Sequence, residues 1–337
     1  MKIKVVIPCR NEQAYIGKCL DSLVRCDRNG IDLLVCVVDG MSDDGTRTLV
    51  KEYADRHAFI SLLDNERKTT PFALNLGLRP LDYDAGIILG AHAVVHSDFL
   101  IHNARVLREH PEVGCAGGII RNEHENEWSE IISLAMSSVF GVGNAHFRTG
   151  GKSGYVDTVA FGAYRREVFE RVGFFDEELA RNQDDEFNYR VVQGGFKIFL
   201  DPAIQSDYFV RGSISKLYKQ YDQYGYWKVF VNKKHGAVTT LRQLAPPLWV
   251  LFLLTGWTGS LMHPLLGWAY VVTVFMYVAL ALYTAARMHT KSVKQFWMLL
   301  RTFGVLHFSY GFGYLRGVIH FYLLNRKPSM HSERLTR

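Results

Sequence analysis

The sequence predicts an α/β domain with a mostly parallel sheet, followed by a hairpin of apolar helices. Three features of the 337 residues lead there. Short apolar runs alternate with stretches of helical period through the first half, the pattern of strands buried on both faces and covered by helices. Turn-rich loops follow the strand runs, where open α/β sheets bind ligands. From Leu244 onward apolar and aromatic residues dominate, whereas residues 1–240 are mixed as in a soluble domain. We therefore expect one domain over 1–240, in two halves at 1–120 and 121–240, and a membrane region over 244–325.

Ile3–Ile7, ended by Pro8, reads as a first buried strand, and Ile16, Leu20 and Leu23 as one face of a helix. Leu33–Val38 is a second strand running into Asp39-Gly-Met-Ser-Asp-Asp-Gly-Thr46, dense in turn residues, before a helix through Leu49 and Tyr53. Phe59–Leu63 is a third strand, Pro71–Leu78 a helix with proline at its start, and Ile87–Leu89 a fourth strand ending in Gly90-Ala91-His92. Phe99–Leu107 is a helix and Val113–Ala116 a fifth strand. Pro8, Arg10 and Asn11, then Asp39, then Gly90-Ala91-His92 all fall at strand ends, so three loops converge on one crevice. A dinucleotide fold would place Gly-x-Gly-x-x-Gly after the first strand; Pro-Cys-Arg-Asn-Glu stands there instead, which argues against a nicotinamide enzyme.

The middle section, about Trp128 to Asp201, is less regular. Phe147–Gly154 is glycine-rich and partly basic but lacks phosphate-loop spacing, so it reads as a mobile loop. Tyr155–Phe161 is a strand, followed by a helix through Val168 and Val172. Asp184, Asp185 and Glu186 then stand together in a chain of formal net charge +6. A helix start tolerates such a triplet, because free backbone N–H groups and the dipole favour anions. Phe187 and Val191 give that helix an apolar face, Gly194-Gly195 stops it, and Arg190 can reach back toward the acids. Further on, Gln220-Tyr-Asp-Gln-Tyr-Gly-Tyr-Trp227 joins amides to aromatics, a combination equally suited to packing and to sugar rings.

The excess of 39 Lys and Arg over 33 Asp and Glu contains no dense basic block, which fits membrane flanks and phosphate ligands better than nucleic acid. The five cysteines form no Cys-x-x-Cys pair and are expected as buried reduced thiols in a cytosolic domain. Met1–Ile7 is charged, so no signal peptide is expected.

Leu248–Met262 is an apolar segment of about fifteen residues and Leu265–Ala286 an uncharged one of about twenty-two, the latter matching a bilayer crossing. His263-Pro264 makes the pair a tight hairpin, with spans at about 248–262 and 265–286. Lys233, Lys234 and Arg242 precede it and Arg287, Lys291 and Lys294 follow, which places both flanks on the cytoplasmic side. Phe296–Leu324 carries Arg301, His307, Arg316 and His320 and is expected to lie in the interface or beneath the domain. The alternative is a third crossing, which would put Arg326, Lys327, Arg334 and Arg337 outside, against the charge rule.

Val5-Val-Ile-Pro-Cys-Arg-Asn-Glu12, Val37–Thr46 and the acid stretch ending at Arg190 resemble the family 2 glycosyltransferases of GT-A fold over roughly Lys2 to Trp227. Val156–Gly162, Arg181–Glu186 and the Gln220–Trp227 run are most similar to the succinoglycan-biosynthesis glucosyltransferases, membrane enzymes of bacterial exopolysaccharide assembly. The resemblance implies inverting transfer of a sugar, glucose from UDP-glucose, to a lipid-linked or growing polysaccharide acceptor. It further implies the bacterial inner membrane, a cytoplasmic catalytic domain and partners in a polysaccharide assembly complex. Asp184 would be the general base, six residues before Arg190. Pro8, Asn11, Glu12, Asp39, Asp43 and Ala91 would bind the nucleotide sugar. Asp157, Asp185, Glu186, Arg190, Gln220, Tyr224 and Trp227 would serve the acceptor.

Two departures stand out. Gln183-Asp184 replaces the family's Glu-Asp pair and keeps its second acid. Gly90-Ala91-His92 replaces Asp-x-Asp, which leaves His92 as the metal candidate, for Mn2+ or Mg2+, with imidazole suiting manganese better. The missing carboxylate leaves a second reading open, a catalytically disabled nucleotide-sugar-binding scaffold of the same fold.

Overall fold

The computed structural model describes residues 1–210 and 212–328; Arg334 and Arg337 lie outside the described residues. In chain order the elements of the first stretch are β1 (Lys2–Cys9), α1 (Ile16–Arg25), β2 (Asp32–Asp39), α2 (Thr46–Arg56), β3 (Ile60–Asp64), α3 (Thr70–Leu78), β4 (Ala85–Ile88), β5 (Ala93–Val95), α4 (Phe99–Glu109) and β6 (Val113–Glu123). Then come α5 (Glu127–Met136), two single turns α6 (Val139–Val142) and α7 (His146–Thr149), β7 (Gly154–Val156), β8 (Ala160–Arg165), α8 (Arg166–Val172), α9 (Gln183–Gln193) and β9 (Lys197–Phe209). The remainder is helical: α10 (Ile214–His235), α11 (Ala245–Thr255) flanked by 3-10 turns, α12 (Pro264–Arg287) and α13 (Val293–Val318).

Two compact units emerge. The first comprises Met1–Asn122 and His146–Phe209 and holds a nine-stranded sheet of order β3-β2-β1-β4-β8-β6-β9-β5, with β7 on β9. Pairs β3-β2, β2-β1 and β1-β4 are parallel, as the alternating βα pattern predicts. Beyond β4 the register turns antiparallel, β8 running against both β4 and β6, and β5 and β7 against β9. Apolar side chains of β1, β2, β4 and α1 form one core, and α3, α8 and α9 seal the other face. All five cysteines are buried and free. Burial pushes the Cys19 thiol, with the Glu12 charge adding to it, and the Cys26 thiol up to about 12, so both stay protonated.

Two expectations are corrected here. Tyr155–Phe161 is not one strand: β7 ends at Val156, and β8 begins at Ala160 with Phe161 in the left-handed region (φ 47°). Val113–Ala116 is only the start of β6, which runs to Glu123 past an irregularity between Ala116 and Gly118. Ile204 stands against that point, where a Cβ on Gly118 would meet its carbonyl oxygen at 1.7 Å.

The second unit comprises Glu123–Ala145 and the chain from Val210, so its boundary falls before α10 rather than near 240. The reason is the packing of α10 on α13. A Cβ on Gly225 would meet the Tyr310 carbonyl oxygen at 2.1 Å, and one on Gly313 the Asp222 carbonyl oxygen at 2.0 Å. Glycine lets the two backbones touch. Arg316 adds an ion pair to Asp222 at 2.7 Å. The helix expected in the interface or beneath the domain is α13, and its face of Thr302, Phe303, Leu306 and Ser309 is buried.

Leu241–Leu261 and Pro264–Arg287 are long and apolar enough to cross a membrane, and 11% and 6% of their most apolar windows are buried. A core helix would be mostly covered; these expose Trp257, Leu265, Trp268 and Phe275. By length and composition the pair fits a membrane hairpin.

Candidate active site

The site residues of the first unit stand where strands end. After β1 the chain turns through Asn11, whose positive φ of 54° is one that asparagine tolerates. Asn11 Nδ2 donates to Asp43 at 2.8 Å, and the Asp43 amide returns a bond to Asn11 Oδ1 at 3.1 Å. The Asn11 amide donates to Ser42 Oγ at 2.8 Å, and the Glu12 amide to Thr46 Oγ1 at 2.9 Å. The loops after β1 and β2 are thereby stitched together, and Asn11 and Asp43 remain exposed.

Asp39, at the end of β2, has no exposed surface. Its carboxylate accepts from the Ser42 amide at 2.9 Å, from the Ser42 hydroxyl and from Arg47 Nη1 at 2.7 Å. Arg47 also pairs with Asp64 at 2.8 Å. The carboxylate thereby holds the Met41–Asp44 loop and Arg47. Arg47 and Ser42 escaped the sequence reading, although an arginine one position into the following helix is a findable partner for a strand-end aspartate.

After β4, Ala91 is 2% exposed, so only its backbone can face a ligand. His92 Nδ1 lies 3.7 Å from Glu12 Oε1, and its ring meets Tyr208 edge-on, centroids 5.0 Å apart. A Cβ on Gly90 would stand 3.5 Å from Phe161 Cε1 and 4.0 Å from the His92 ring, ordinary contacts, and Gly90 is not in the left-handed region. Among the described residues no three His, Cys, Asp or Glu side chains are placed to hold a metal ion. One imidazole with one carboxylate beside it, and nothing at Gly90, does not make a metal site from protein alone.

Asp184 and Asp185 open α9 behind Asn182, a left-handed N-cap (φ 61°). Asp184 is exposed, and its Oδ1 accepts from the Asp185 amide at 2.9 Å. The next turn is closed: Glu186 is 2% exposed and takes Arg190 Nε at 2.7 Å and Nη2 at 2.9 Å. Arg190 also donates to the carbonyls of Val172 and Phe174. Glu186 and Arg190 brace α9 from within. Behind them Tyr164 donates to Asn188 Oδ1 at 2.8 Å, and Asn188 donates to Thr158 at 2.9 Å. Burial, with the Cys115 and Asp184 charges adding to it, holds the Tyr164 phenol well above its ordinary value, so it remains a donor. Pro8, in register with Val38, is half-buried, and Asp157 is exposed between β7 and β8.

Gln220, Tyr224 and Trp227 belong to the second unit. Gln220 is 5% exposed and donates to the Tyr224 hydroxyl at 2.8 Å. Trp227 is 1% exposed and stands edge-on to Tyr226 and Phe230, a core position.

The parallel βα half of the sheet, with loops at its strand ends and no dinucleotide loop after β1, defines a GT-A-like α/β fold. The description "Glycosyl transferase family 2" matches residues 4–173, and the chain belongs to that family. It is 33% identical over 240 residues, 69% of this chain and 74% of the relative, to a Methanococcus voltae glucuronosyltransferase named for a dolichyl N-acetylglucosaminyl phosphate. Succinoglycan biosynthesis protein ExoA of Rhizobium meliloti is 27% identical over 72% of this chain and 73% of its own length. Among solved structures, a mannosyltransferase from Pyrobaculum calidifontis in complex with GDP-Man and Mn2+ superposes with a TM-score of 0.62, at 20% identity, over 93% of this chain and 86% of its own. The protein is thus a family 2 glycosyltransferase of glycan biosynthesis.

Proposed function

We propose that this enzyme moves glucose from UDP-glucose, with inversion, onto a lipid-linked or growing polysaccharide acceptor in exopolysaccharide synthesis. The observation that carries the reading is Asp184: a carboxylate left exposed on a helix turn whose neighbours are locked. An acceptor hydroxyl must lose its proton as its oxygen bonds to the anomeric carbon, and a positioned carboxylate takes it. The bond from that carbon to the β-phosphate oxygen breaks, and the nucleoside diphosphate departs with the electron pair. Inversion follows from attack opposite the leaving group.

Asn11, Glu12, Asp43 and the backbone at Pro8 and Ala91 form the proposed nucleotide pocket, with Asp39 and Arg47 holding its loop. Asp157 and Asp185 are the proposed acceptor contacts. His92 is the side chain at the β4 turn able to ligate a divalent ion, Mn2+ in preference to Mg2+. Such an ion, when bound, supplies Lewis-acid charge at the diphosphate.

The relatives' printed names, one with a dolichyl phosphate acceptor and one with succinoglycan, support a lipid-linked acceptor, as does the apolar helix pair. Lys233, Lys234, Arg242, Arg287, Lys291 and Lys294 support a bacterial inner-membrane enzyme working from the cytoplasm within a polysaccharide assembly complex. Asp184→Asn should abolish UDP release from UDP-glucose in the presence of lipid acceptor while sparing UDP binding. Retained turnover would remove Asp184 as base. Gly90 favours the second reading, a disabled scaffold, which predicts UDP binding without release at any manganese concentration.

A further inference from the structure

The turn after β4 leaves a charge problem. A nucleoside diphosphate brings negative charge to this edge of the sheet, and Gly90-Ala91-His92 supplies one imidazole where family resemblance expects carboxylates that hold a metal. The first unit contains another cation close by. Arg148, on the single turn α7, lies with its guanidinium carbon 5.8 Å from the centroid of the Tyr208 ring and 5.3 Å from that of Phe147. Tyr208 is the ring that His92 meets edge-on at 5.0 Å. One aromatic side chain therefore separates Arg148 from the β4 turn.

The guanidinium is incompletely used. Its Nη1 is buried and has no hydrogen-bond partner among the described residues. A buried, unpaired donor on a charged group is costly, and two aromatic faces offset only part of that cost. Such a donor in a native protein calls for an explanation, be it strain, a catalytic role, or a water or ion at that point. Gly150 (φ 77°) directly follows α7 and Gly151 comes next, so the backbone bearing Arg148 turns where glycine permits it. A planar fork of donors matches phosphate oxygens two at a time, which an ammonium does not.

We propose that Arg148 binds the diphosphate of the sugar donor and carries charge that the carboxylate-poor β4 turn leaves unmet. The assignment rests on the nucleotide-sugar reading above. It makes Arg148 a specificity group for the diphosphate over the nucleoside, and it makes donor binding less dependent on a divalent ion than two carboxylates at the turn would.

The test uses the full chain in detergent, with UDP and uridine binding measured by titration in EDTA and again with Mn2+. Arg148→Gln should weaken UDP at least tenfold in EDTA and leave uridine within about twofold, because uridine lacks the phosphates; a tenfold loss corresponds to about 1.4 kcal/mol. Arg148→Lys keeps the charge but loses the planar fork, so it should recover only part of the UDP affinity lost in Arg148→Gln. Equal losses for UDP and uridine, or equal losses in the Gln and Lys variants, would assign Arg148 to packing and overturn the proposal. So would unchanged UDP affinity in Arg148→Gln. A wild-type chain that binds neither UDP nor GDP would instead bring down the nucleotide-sugar reading, and this inference with it.

Discussion

Arg190 closes its guanidinium fork on Glu186, Nε to Oε1 at 2.7 Å and Nη2 to Oε2 at 2.9 Å, one helical turn after the acid. Glu186 is buried, so the pair braces α9 from within. It leaves Asp184 as the outward acid of the same turn.

Arg190→Met strands the Glu186 carboxylate. Removing one partner of a buried pair costs about 3–5 kcal/mol. The variant should melt well below wild type in detergent, by scanning fluorimetry. An unchanged melting temperature would mean the pair is solvated in solution.

Gly90→Asp adds a carboxylate where the backbone accepts one, since its Cβ meets only ordinary contacts from Phe161 and His92. The variant should fold as wild type and gain Mn2+-dependent UDP affinity, about tenfold between EDTA and saturating Mn2+. Equal affinity in both conditions would show that the turn cannot complete a metal site.

Gly313→Ala drives a methyl group into the Asp222 carbonyl oxygen, and Gly225→Ala one into that of Tyr310. Backbone cannot swing aside as a side chain does, so each should cost at least the about 1–3 kcal/mol of ordinary overpacking. Gly154→Ala, which meets nothing within 4 Å, is the matched control. Comparable melting of all three would contradict the close approach of α10 and α13.

The Cys19 and Cys26 thiols are raised from 9.0 to about 12, burial being the first cause for each. Native protein at about pH 8 should resist iodoacetamide at both and react fully once denatured. The same shift has a stability consequence. Above 9 the unfolded thiols lose protons that the folded ones keep, so their contribution is whole below 9 and is lost as pH rises toward 12. Alkaline destabilisation should begin near 9 and diminish in Cys19→Ala.

The parallel half of the sheet was readable because β1, β2 and β4 are continuous apolar runs, a signal that needs no partner to interpret. β9 was not: Lys197–Phe209 alternates and carries Asp201-Pro202, and it becomes a strand by pairing with β5 and β7. Asn11, Asp39, Asp43 and Asp184 could be singled out as candidates because they sit beside strand ends or helix starts. Arg47, Arg148, Phe161 and Tyr208 were not, since each matters through a neighbour distant in sequence. Trp227 is buried, and an aromatic cluster reads the same in sequence whether it stacks on sugar or fills a core.

The two units are braided along the chain: the first is left at Asn122 and rejoined at His146. A single cut near residue 240 therefore does not excise a catalytic fragment. It strips α5 of α13 and the turn before it, where Lys294 and Lys291 pair with Glu127 and Glu130 at 2.5 Å, and it uncovers the glycine seam of α10. Such a fragment should be insoluble even without its apolar helices, so a soluble form of this enzyme requires redesigning the α5 and α10 surfaces as well as shortening the chain.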